Sequence, residues 1–272
     1  MASTEVLAAL SPGSRRELGD LVAQSGWNQL AEDWALFHRL GTLLVVRDAQ
    51  GVIVASGAVL PYGDEFAWIS MILVAPAARG QGLGSQVFQA CMDIVCGQGR
   101  TAMLDATPAG EKIYRQFGFE GLFALTRWQR DAAASAREAT PAAVDQEEII
   151  RRDAAVFGIS RSALLADFLS RAGGSCIANA SGFALVRAGR VAHQVGPLVA
   201  DGVAAACGLL QQAIDGLPGR VFLDVADERS TLNAVLRAAG FTPQRGFLRM
   251  ALGPARPQQA AKVQVIAGPE YG

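Results

Sequence analysis

Apolar residues follow two different spacings along the chain, and together they predict an α/β protein. In some segments an apolar residue recurs every three or four positions, which is typical of a helix that covers a core. In others apolar and polar residues alternate, or form short apolar runs, which is typical of strands. The predicted helices of the first half are Ser14–Gln24, Leu30–Leu40, Ser85–Val95 and a helix that ends near Gly118. The predicted strands are Leu43–Arg47, Val52–Leu60, Phe66–Val74, Thr101–Ala106 and Leu122–Gln129.

The second half of the chain repeats the first in outline. Three motifs recur at similar spacing, namely Leu104-Asp105-Ala106 as Leu223-Asp224-Val225, Tyr114–Phe119 as Leu236–Phe241, and Arg127-Trp128 as Arg249-Met250. The second half also contains predicted strands at Gly182–Arg187 and Val191–Ala200 and a predicted helix at Val203–Ile214. A length of 272 residues suits two domains. We therefore predict two domains of the same fold, 1–130 and 144–272, joined by an alanine-rich linker at 131–143.

A glycine-rich segment, Arg79–Gly84, lies between the strand that ends at Val74 and the helix that begins near Ser85. Glycines without Cβ atoms let a ligand approach the backbone, and the helix directs its unpaired N–H groups to the same point. This arrangement predicts an anion site, most simply for a phosphate. A P-loop is excluded because no Gly-Lys-Ser/Thr ending is present, and a dinucleotide fingerprint is disfavoured because Ser85 stands where its last glycine belongs.

The spacing of Arg79, Gly82 and Gly84 closely resembles motif A of the GNAT superfamily of acyl-CoA-dependent N-acetyltransferases. The resemblance covers nearly the whole chain. It implies two tandem domains, each a mixed, mostly antiparallel sheet flanked by helices. It also implies that the loop binds the pyrophosphate of acetyl-CoA and that the preceding strand holds the pantetheine arm through its backbone. The implied cofactor-binding residues are Ile72, Leu73, Val74, Arg79, Gly80, Gln81, Gly82, Leu83, Gly84, Ser85 and Tyr114.

The segment that contains Tyr114, Gly118 and Phe119 resembles a second GNAT motif, Tyr-x-x-x-Gly-Phe. Gly118 suits the left-handed position that ends a helix, and Phe119 begins the next strand. The resemblance implies that Tyr114 is the general acid that protonates the departing thiolate. The alternative is an ordinary half-buried tyrosine whose hydroxyl has a local partner.

A general base is harder to identify, and two carboxylates are candidates. Glu65 begins the strand that leads to the loop, and it is equally well explained as a solvated turn charge. Asp105 ends an apolar strand, where a side chain often faces a ligand crevice. Because Asp224 occupies the same place in the second half, Asp105 equally suits a structural role shared by both halves.

The second half departs from the GNAT pattern at both places that carry chemistry. Its counterpart of the glycine loop, Gly196–Gly202, lacks the Arg-x-x-Gly-x-Gly spacing, and Pro197 removes a backbone donor. Leu236 stands at the position of Tyr114. We therefore predict a degenerate second domain and one active site per chain.

Composition narrows the classes of partner. The net charge of −1 gives no basic face for nucleic acid, and no apolar run is long enough to span a membrane. Two histidines and four cysteines without ligand spacing predict no metal site, and the absence of a secretory signal predicts a cytoplasmic protein with reduced thiols.

The predicted function is transfer of an acetyl group from acetyl-CoA to a primary amine of a small molecule or a protein, by direct attack in a ternary complex. The alternative is a non-catalytic acyl-CoA-binding regulatory module. The sequence leaves the identity of the amine open, and an oligomer is compatible with it.

Overall fold

The structure is a computed structural model that describes residues 3–132, 145–215, 217–254 and 262–272. Most of the predicted linker, residues 133–143, lies outside these ranges, and residues 131 and 132 close a strand. The helices of the described ranges are α1 (Pro12–Gln24), α2 (Ala31–Leu40), α3 (Leu83–Gly97), α4 (Pro108–Gln116), α5 (Gln146–Phe157), α6 (Ser162–Ser170), α7 (Val203–Ile214) and α8 (Ser230–Ala238). The strands are β1 (Thr4–Val6), β2 (Thr42–Arg47), β3 (Ile53–Tyr62), β4 (Phe66–Val74), β5 (Thr101–Ala106), β6 (Glu120–Ala132), β7 (Ser175–Asn179), β8 (Gly182–Arg187), β9 (His193–Ala200), β10 (Gly219–Ala226), β11 (Thr242–Leu252) and β12 (Val263–Val265).

The predicted fold class is confirmed, because helices flank mixed, mostly antiparallel β-structure. Strands β4, β5 and β8 and helix α7 have the predicted bounds, and the other predicted elements differ by three residues or fewer at each end. Strands β1 and β12 have three residues each, too few to show an alternating pattern.

Helix α5 was not predicted, although the sequence contains its start and stop signals. The Asp145 carboxylate accepts hydrogen bonds from the N–H groups of Glu147 and Glu148, at 3.0 and 3.3 Å, and so caps the helix. Gly158 ends the helix in the left-handed conformation with φ of 87°.

The described residues form two compact units, and unit 1 holds the glycine-rich loop. Unit 1 consists of the described parts of Met1–Leu104 and Ala251–Ala255, together with Tyr271. In it β1, β2, β3 and β4 form an antiparallel series, and β5 pairs with β4 in parallel. Helices α1, α2 and α3 contact β3, so this strand lies at the centre of the unit's core.

Gly57 sets the close approach of α3 to β3. A Cβ atom at this position would lie 2.5 Å from Cγ1 of Val87 and 3.0 Å from the Cys91 sulfur, both on α3. A larger residue would therefore push the helix away from the sheet, and with it the loop that precedes the helix.

Unit 2 contains Asp105–Met250 and most of the remaining C-terminal residues. Its strand order is β11-β6-β10-β9-β8-β7, with β12 paired to β9. Strand β6 belongs by sequence to the first repeat, yet it lies between β11 and β10 of the second. It pairs with β10 along eight residues, from Gly219 opposite Ala132 to Ala226 opposite Leu125.

The boundary between the compact units differs from the boundary between the sequence repeats. The reason is that β6, which belongs to the first repeat, lies among the strands of the second. Spatial contacts place the described residues of Asp105–Met250 in one unit with the second repeat, although the repeated motifs begin again only after the linker. The limits 1–130 and 144–272 remain a prediction about the sequence repeats.

Candidate functional site

A bulge in β4 marks the approach to the glycine-rich loop. In the β3–β4 pairing, Ser56 lies opposite Leu73 and Ala58 opposite Ser70, so β4 has an extra residue between these pairs. Met71 occupies this bulge with φ of 56°, and its carbonyl accepts a hydrogen bond from Ser56 Oγ at 2.9 Å. The bulge changes the direction of the strand just before Ile72, which starts the predicted pantetheine-binding segment.

The opposite edge of β4 is open over the same residues. In the described chain the parallel pairing of β4 with β5 ends where Trp68 lies opposite Met103, whereas β4 continues to Val74. Beyond Trp68 this edge of the backbone therefore has no strand partner in β5. Because backbone polar groups need partners, this edge is suited to hydrogen-bond an extended ligand. The Leu73 side chain is itself buried in the core, so only its backbone is available.

The loop owes its shape to two glycines. Gly80 and Gly82 both have φ of 77°, a left-handed conformation that side chains with a Cβ rarely adopt. A Cβ atom at either position would meet nothing within 4 Å. Glycine is therefore required here by the backbone conformation and not by crowding, and the loop backbone stays open to a ligand.

The helix after the loop begins without a side-chain cap. Gly82 is the N-cap residue of α3, and it has no side chain to accept from the N–H groups of the first turn. The N–H groups of Leu83, Gly84 and Ser85 are among those that an α-helix leaves without an internal acceptor. Together with the positive end of the helix dipole, they form an anion site. The Arg79 guanidinium donates to the carbonyl of Val74 at 3.3 Å, which fixes the start of the loop.

A cavity of about 370 Å³ adjoins this loop within unit 1. Its lining includes Gln81 and Leu83 from the loop and Gln86 from α3. Arg47 also lines the cavity, and its guanidinium forms ion pairs with the carboxylates of Glu5 and Glu17, at 2.9 and 3.3 Å. There is thus room beside the loop for a ligand larger than a phosphate ion.

Tyr114 lies in the last turns of α4, half-buried, in unit 2. Its ring packs over the first turn of its own helix, because a Cβ on Gly110 would lie 2.9 Å from Cε2 and 3.3 Å from the hydroxyl oxygen. The ring of Phe119 lies 6.3 Å away, centroid to centroid. Gly110 therefore gives the tyrosine the space for this orientation.

Asp105 and Asp224 each form a buried ion pair with an arginine of the other sequence repeat. Arg249 on β11 holds both oxygens of Asp105 on β5 at 2.8 Å. Arg127 on β6 holds both oxygens of Asp224 on β10, at 2.8 and 2.9 Å. Both aspartate side chains are fully buried. Each of these ion pairs, both within unit 2, thus joins the two sequence repeats.

The surroundings of Asp105 favour a structural role over a role as general base. Burial raises the pKa of its carboxyl above the ordinary value, and the Arg249 guanidinium offsets part of this rise. Both oxygens already accept charge-assisted hydrogen bonds from one rigid fork. The geometry therefore accounts for this carboxylate at a strand end without assigning it a substrate.

Replacing Arg249 by methionine is expected to lower the free energy of unfolding by about 3–5 kcal/mol, because it leaves the Asp105 charge buried without a partner. The double variant Asp105→Leu/Arg249→Met should regain most of that loss, because it removes both charges. Urea denaturation measures both values. Equal losses in the single and double variants would contradict the assignment of the pair as the source of the effect.

Glu65 lies in the turn between β3 and β4, at the opposite end of β4 from the loop. Its side chain is exposed, and its carbonyl accepts from the N–H of Thr101 at 3.0 Å. Strand β4 runs from Phe66 to Val74, which at about 3.3 Å per residue separates its two ends by roughly 26 Å. This position matches the turn interpretation and supplies no geometric argument for proton transfer.

Two family models match the chain. An acetyltransferase (GNAT) domain model matches residues 39–121, and another acetyltransferase (GNAT) domain model matches residues 149–264. The chain belongs to the GNAT acyltransferase family, as a tandem member. The resemblance stated from the glycine-rich loop is thereby confirmed.

Known proteins similar to this tandem GNAT protein agree with the assignment. The holothin acyltransferase of Pseudoalteromonas sp. (strain SANK 73390) is 28% identical over 236 residues, covering 80% of this chain and 78% of that protein. The structure of a putative acetyltransferase from Pyrococcus horikoshii superposes with a TM-score of 0.80 at 19% identity, covering 98% and 96% of the two chains. A tandem GNAT protein from the clavulanic acid biosynthesis pathway superposes with a TM-score of 0.66 at 16% identity, covering 94% and 100%. These two structures share the fold.

The second GNAT domain differs from the first at the counterpart of the loop. Strand β9 ends at Ala200, and α7 begins three residues later with Gly202 as its N-cap, in an extended conformation with φ of −179°. Gly196 has a packing role, because a Cβ there would lie 2.0 Å from the carbonyl oxygen of Ile266. The two left-handed glycines of the first domain thus have no counterpart in this connection.

The spacing of the repeated motifs marks two arginines, but the sequence does not identify their partners. Arg127 and Arg249 are the residues that complete the buried aspartate pairs. Among the described residues, no group of three or more His, Cys, Asp or Glu side chains is placed to hold a metal ion. The helices within the described ranges include none that is both long and apolar enough to cross a membrane.

Proposed function

We propose that this GNAT protein transfers an acetyl group from acetyl-CoA to a primary amine of a small molecule or a peptide. The observation that carries the proposal is the loop of unit 1. Two left-handed glycines open its backbone, and an uncapped helix start follows at once, beside an edge of β4 that is unpaired with β5 beyond Trp68. This combination suits a ligand with a pyrophosphate and an extended amide-containing arm, as in coenzyme A.

The residues that would hold coenzyme A fit its chemistry. Backbone N–H groups from Gly80 to Ser85 would bind the pyrophosphate, supported by the dipole of α3. The amide groups of the pantetheine arm would pair with the backbone of Ile72, Leu73 and Val74 in the manner of an added strand. The bulge at Met71 interrupts the regular pairing of β4 with β3 just before this segment.

Acetyl-CoA supplies an activated thioester, so the amine nitrogen bonds to the acyl carbon while the carbon–sulfur bond breaks. The chain has two tasks in this step. A backbone N–H of the segment that ends at Val74 polarises the carbonyl. The Tyr114 hydroxyl gives its proton to the departing sulfur and is reprotonated from the solvent. The attacking amine arrives as the free base, and its surplus proton leaves to water.

Neither carboxylate candidate is included in this proposal as a base. The oxygens of Asp105 are occupied by Arg249, and Glu65 lies in an exposed turn. The amine acceptor is inferred from the GNAT family, and acyl transfer is supported by the similar holothin acyltransferase. We propose that the transferred group is acetyl and that its acceptor is an amine.

Screening acyl-CoA and amine pairs for thiol release tests the function. Purified protein is mixed with acetyl-CoA and separately with polyamines, amino acids, aminoglycosides and peptides, and free coenzyme A is followed with a thiol reagent. Amine-dependent release that matches the amount of N-acetyl product by mass spectrometry is the expected result. Tight binding of acetyl-CoA without release above background for every amine would favour the non-catalytic regulatory module instead.

A further inference from the structure

A second cavity lies within unit 2, away from the counterpart of the glycine loop. Its volume is about 280 Å³, and it is formed between β6 and α8. The lining residues are Thr126, Trp128, Asp227, Ser230, Asn233 and Arg237. No residue of Gly196–Gly202 and no part of Leu236 lines it, so it is not the degenerate acyl-CoA position.

Two buried residues of this lining carry polar atoms without a partner. Trp128 and Asn233 are 2% and 7% exposed. Within the described ranges, Nε1 of Trp128 has no hydrogen-bond acceptor and Oδ1 of Asn233 has no donor. A buried polar group left unpaired is unfavourable, so each such atom needs an explanation. Because both residues line the same cavity, a ligand that pairs with the donor and the acceptor would explain them together.

The orientation of the Asn233 amide is set by the backbone. Its Nδ2 donates to the carbonyl oxygens of Asp227 and Ala226, at 3.2 and 3.4 Å. Exchanging the amide nitrogen and oxygen would place oxygen against oxygen, so Oδ1 is the atom that remains unpaired.

Charges of both signs surround these two atoms. Arg237 lies over the Trp128 ring, with Cζ 4.8 Å from the centroid, and no carboxylate of the described chain forms an ion pair with it. Its counterpart in the first domain, Arg115, is paired with Glu111 one helical turn away at 2.9 Å. Asn233 occupies the position that corresponds to Glu111. The exchange of an acid for an amide thus leaves the second arginine available to a ligand.

The negative charge of the cavity comes from Asp227, an exposed residue. One of its carboxylate oxygens accepts from the Thr126 hydroxyl at 2.6 Å, which holds the side chain beside the cavity.

We propose that this cavity binds a small zwitterion, a free α-amino acid. The ligand carboxylate accepts from Trp128 Nε1 and from the Arg237 guanidinium. The ligand ammonium donates to Asn233 Oδ1 and to the Asp227 carboxylate. A volume of about 280 Å³ lies just below the roughly 300–1,000 Å³ of pockets for drug-sized ligands, which suits a molecule of this size. The second domain then has a binding role of its own, independent of the acyl transfer proposed for the first.

Binding of the standard L-amino acids to the full-length protein tests this site. Each is added individually while the unfolding temperature is followed, and any that raises it is measured by titration calorimetry. The methyl ester and the deaminated acid of the same compound serve as probes that lack one charge. Arg237→Gln removes the guanidinium, Trp128→Phe removes the indole N–H, and Arg115→Gln is the matched control in the first domain.

At least one amino acid is expected to bind, and its ester and its deaminated acid to bind roughly tenfold more weakly or worse. Arg237→Gln and Trp128→Phe should each weaken binding by a similar factor, and Arg115→Gln should leave it unchanged. The proposal is overturned if no amino acid binds the wild-type protein. It is also overturned if both variants bind as the wild type does, or if the deaminated acid binds as tightly as the amino acid.

Discussion

Replacing Gly82 by valine is expected to weaken acetyl-CoA binding by roughly a hundredfold or more. Gly82 has φ of 77°, which a β-branched residue does not adopt without strain. The loop must therefore change shape, and the N–H groups around it no longer converge on one anion. Two lost charge-assisted hydrogen bonds at about 1.5–3 kcal/mol each account for a loss of this size. Titration calorimetry with acetyl-CoA measures it.

The matched control is Gly202→Val in the second domain. Gly202 caps α7 as Gly82 caps α3, but its φ of −179° is extended and a Cβ there meets nothing within 4 Å. This variant should bind acetyl-CoA as the wild type does. Without ligand, Gly202→Val should unfold near the wild-type temperature, and Gly82→Val at a somewhat lower one, because only the second substitution introduces strain at a positive φ. Undiminished binding by Gly82→Val would remove the pyrophosphate assignment.

Replacing Tyr114 by phenylalanine is expected to lower kcat by roughly a hundredfold to ten-thousandfold, the usual contribution of a positioned proton donor. The KM for acetyl-CoA should change little, because the ring and its packing over Gly110 are retained. Steady-state kinetics with the best amine from the screen separates the two constants. The loss should be smaller for an acyl donor whose thiol leaving group is more acidic, because such a sulfur departs without a proton.

Lys112→Gln is the control on the same helix, since Lys112 is exposed and lies outside the proposed machinery. Its kcat should equal that of the wild type. If Tyr114→Phe also kept the wild-type kcat, the tyrosine would be the half-buried packing residue of the alternative interpretation, and the acid would have to be sought elsewhere.

The sequence anticipated the local parts of the first domain well. Strand β4, the loop from Arg79 to Gly84 and the start of α3 are contiguous, so periodicity and glycine spacing were enough to place them. The bulge at Met71 was not predicted, because nothing in its side chain favours a positive φ. The Ser56 hydroxyl on the neighbouring strand donates to the Met71 carbonyl and so supports this conformation, which is information from another segment of the chain.

The role of Asp105 likewise depends on a residue that is distant in the sequence. From sequence, Asp105 suited either catalysis or structure, and only its partner could favour one of them. That partner, Arg249, lies 144 residues away in the other repeat. The cavity near Asn233 was equally hidden, because its lining comes from β6 of the first repeat and α8 of the second.

The sequence by itself determined the family, the helices and strands that recur in both halves, and the presence of one glycine-rich loop of the GNAT type. These depend on the conformational preferences of neighbouring residues and on motifs within a few turns of chain. The tertiary structure alone decided that β6 lies between β11 and β10, and therefore which arginine neutralises which aspartate. The physical reason is that both repeats contain a strand of similar pattern that carries an arginine, and each also contains a buried aspartate. Either arginine could therefore pair with either aspartate. Pattern alone cannot distinguish pairing within a repeat from exchange between repeats.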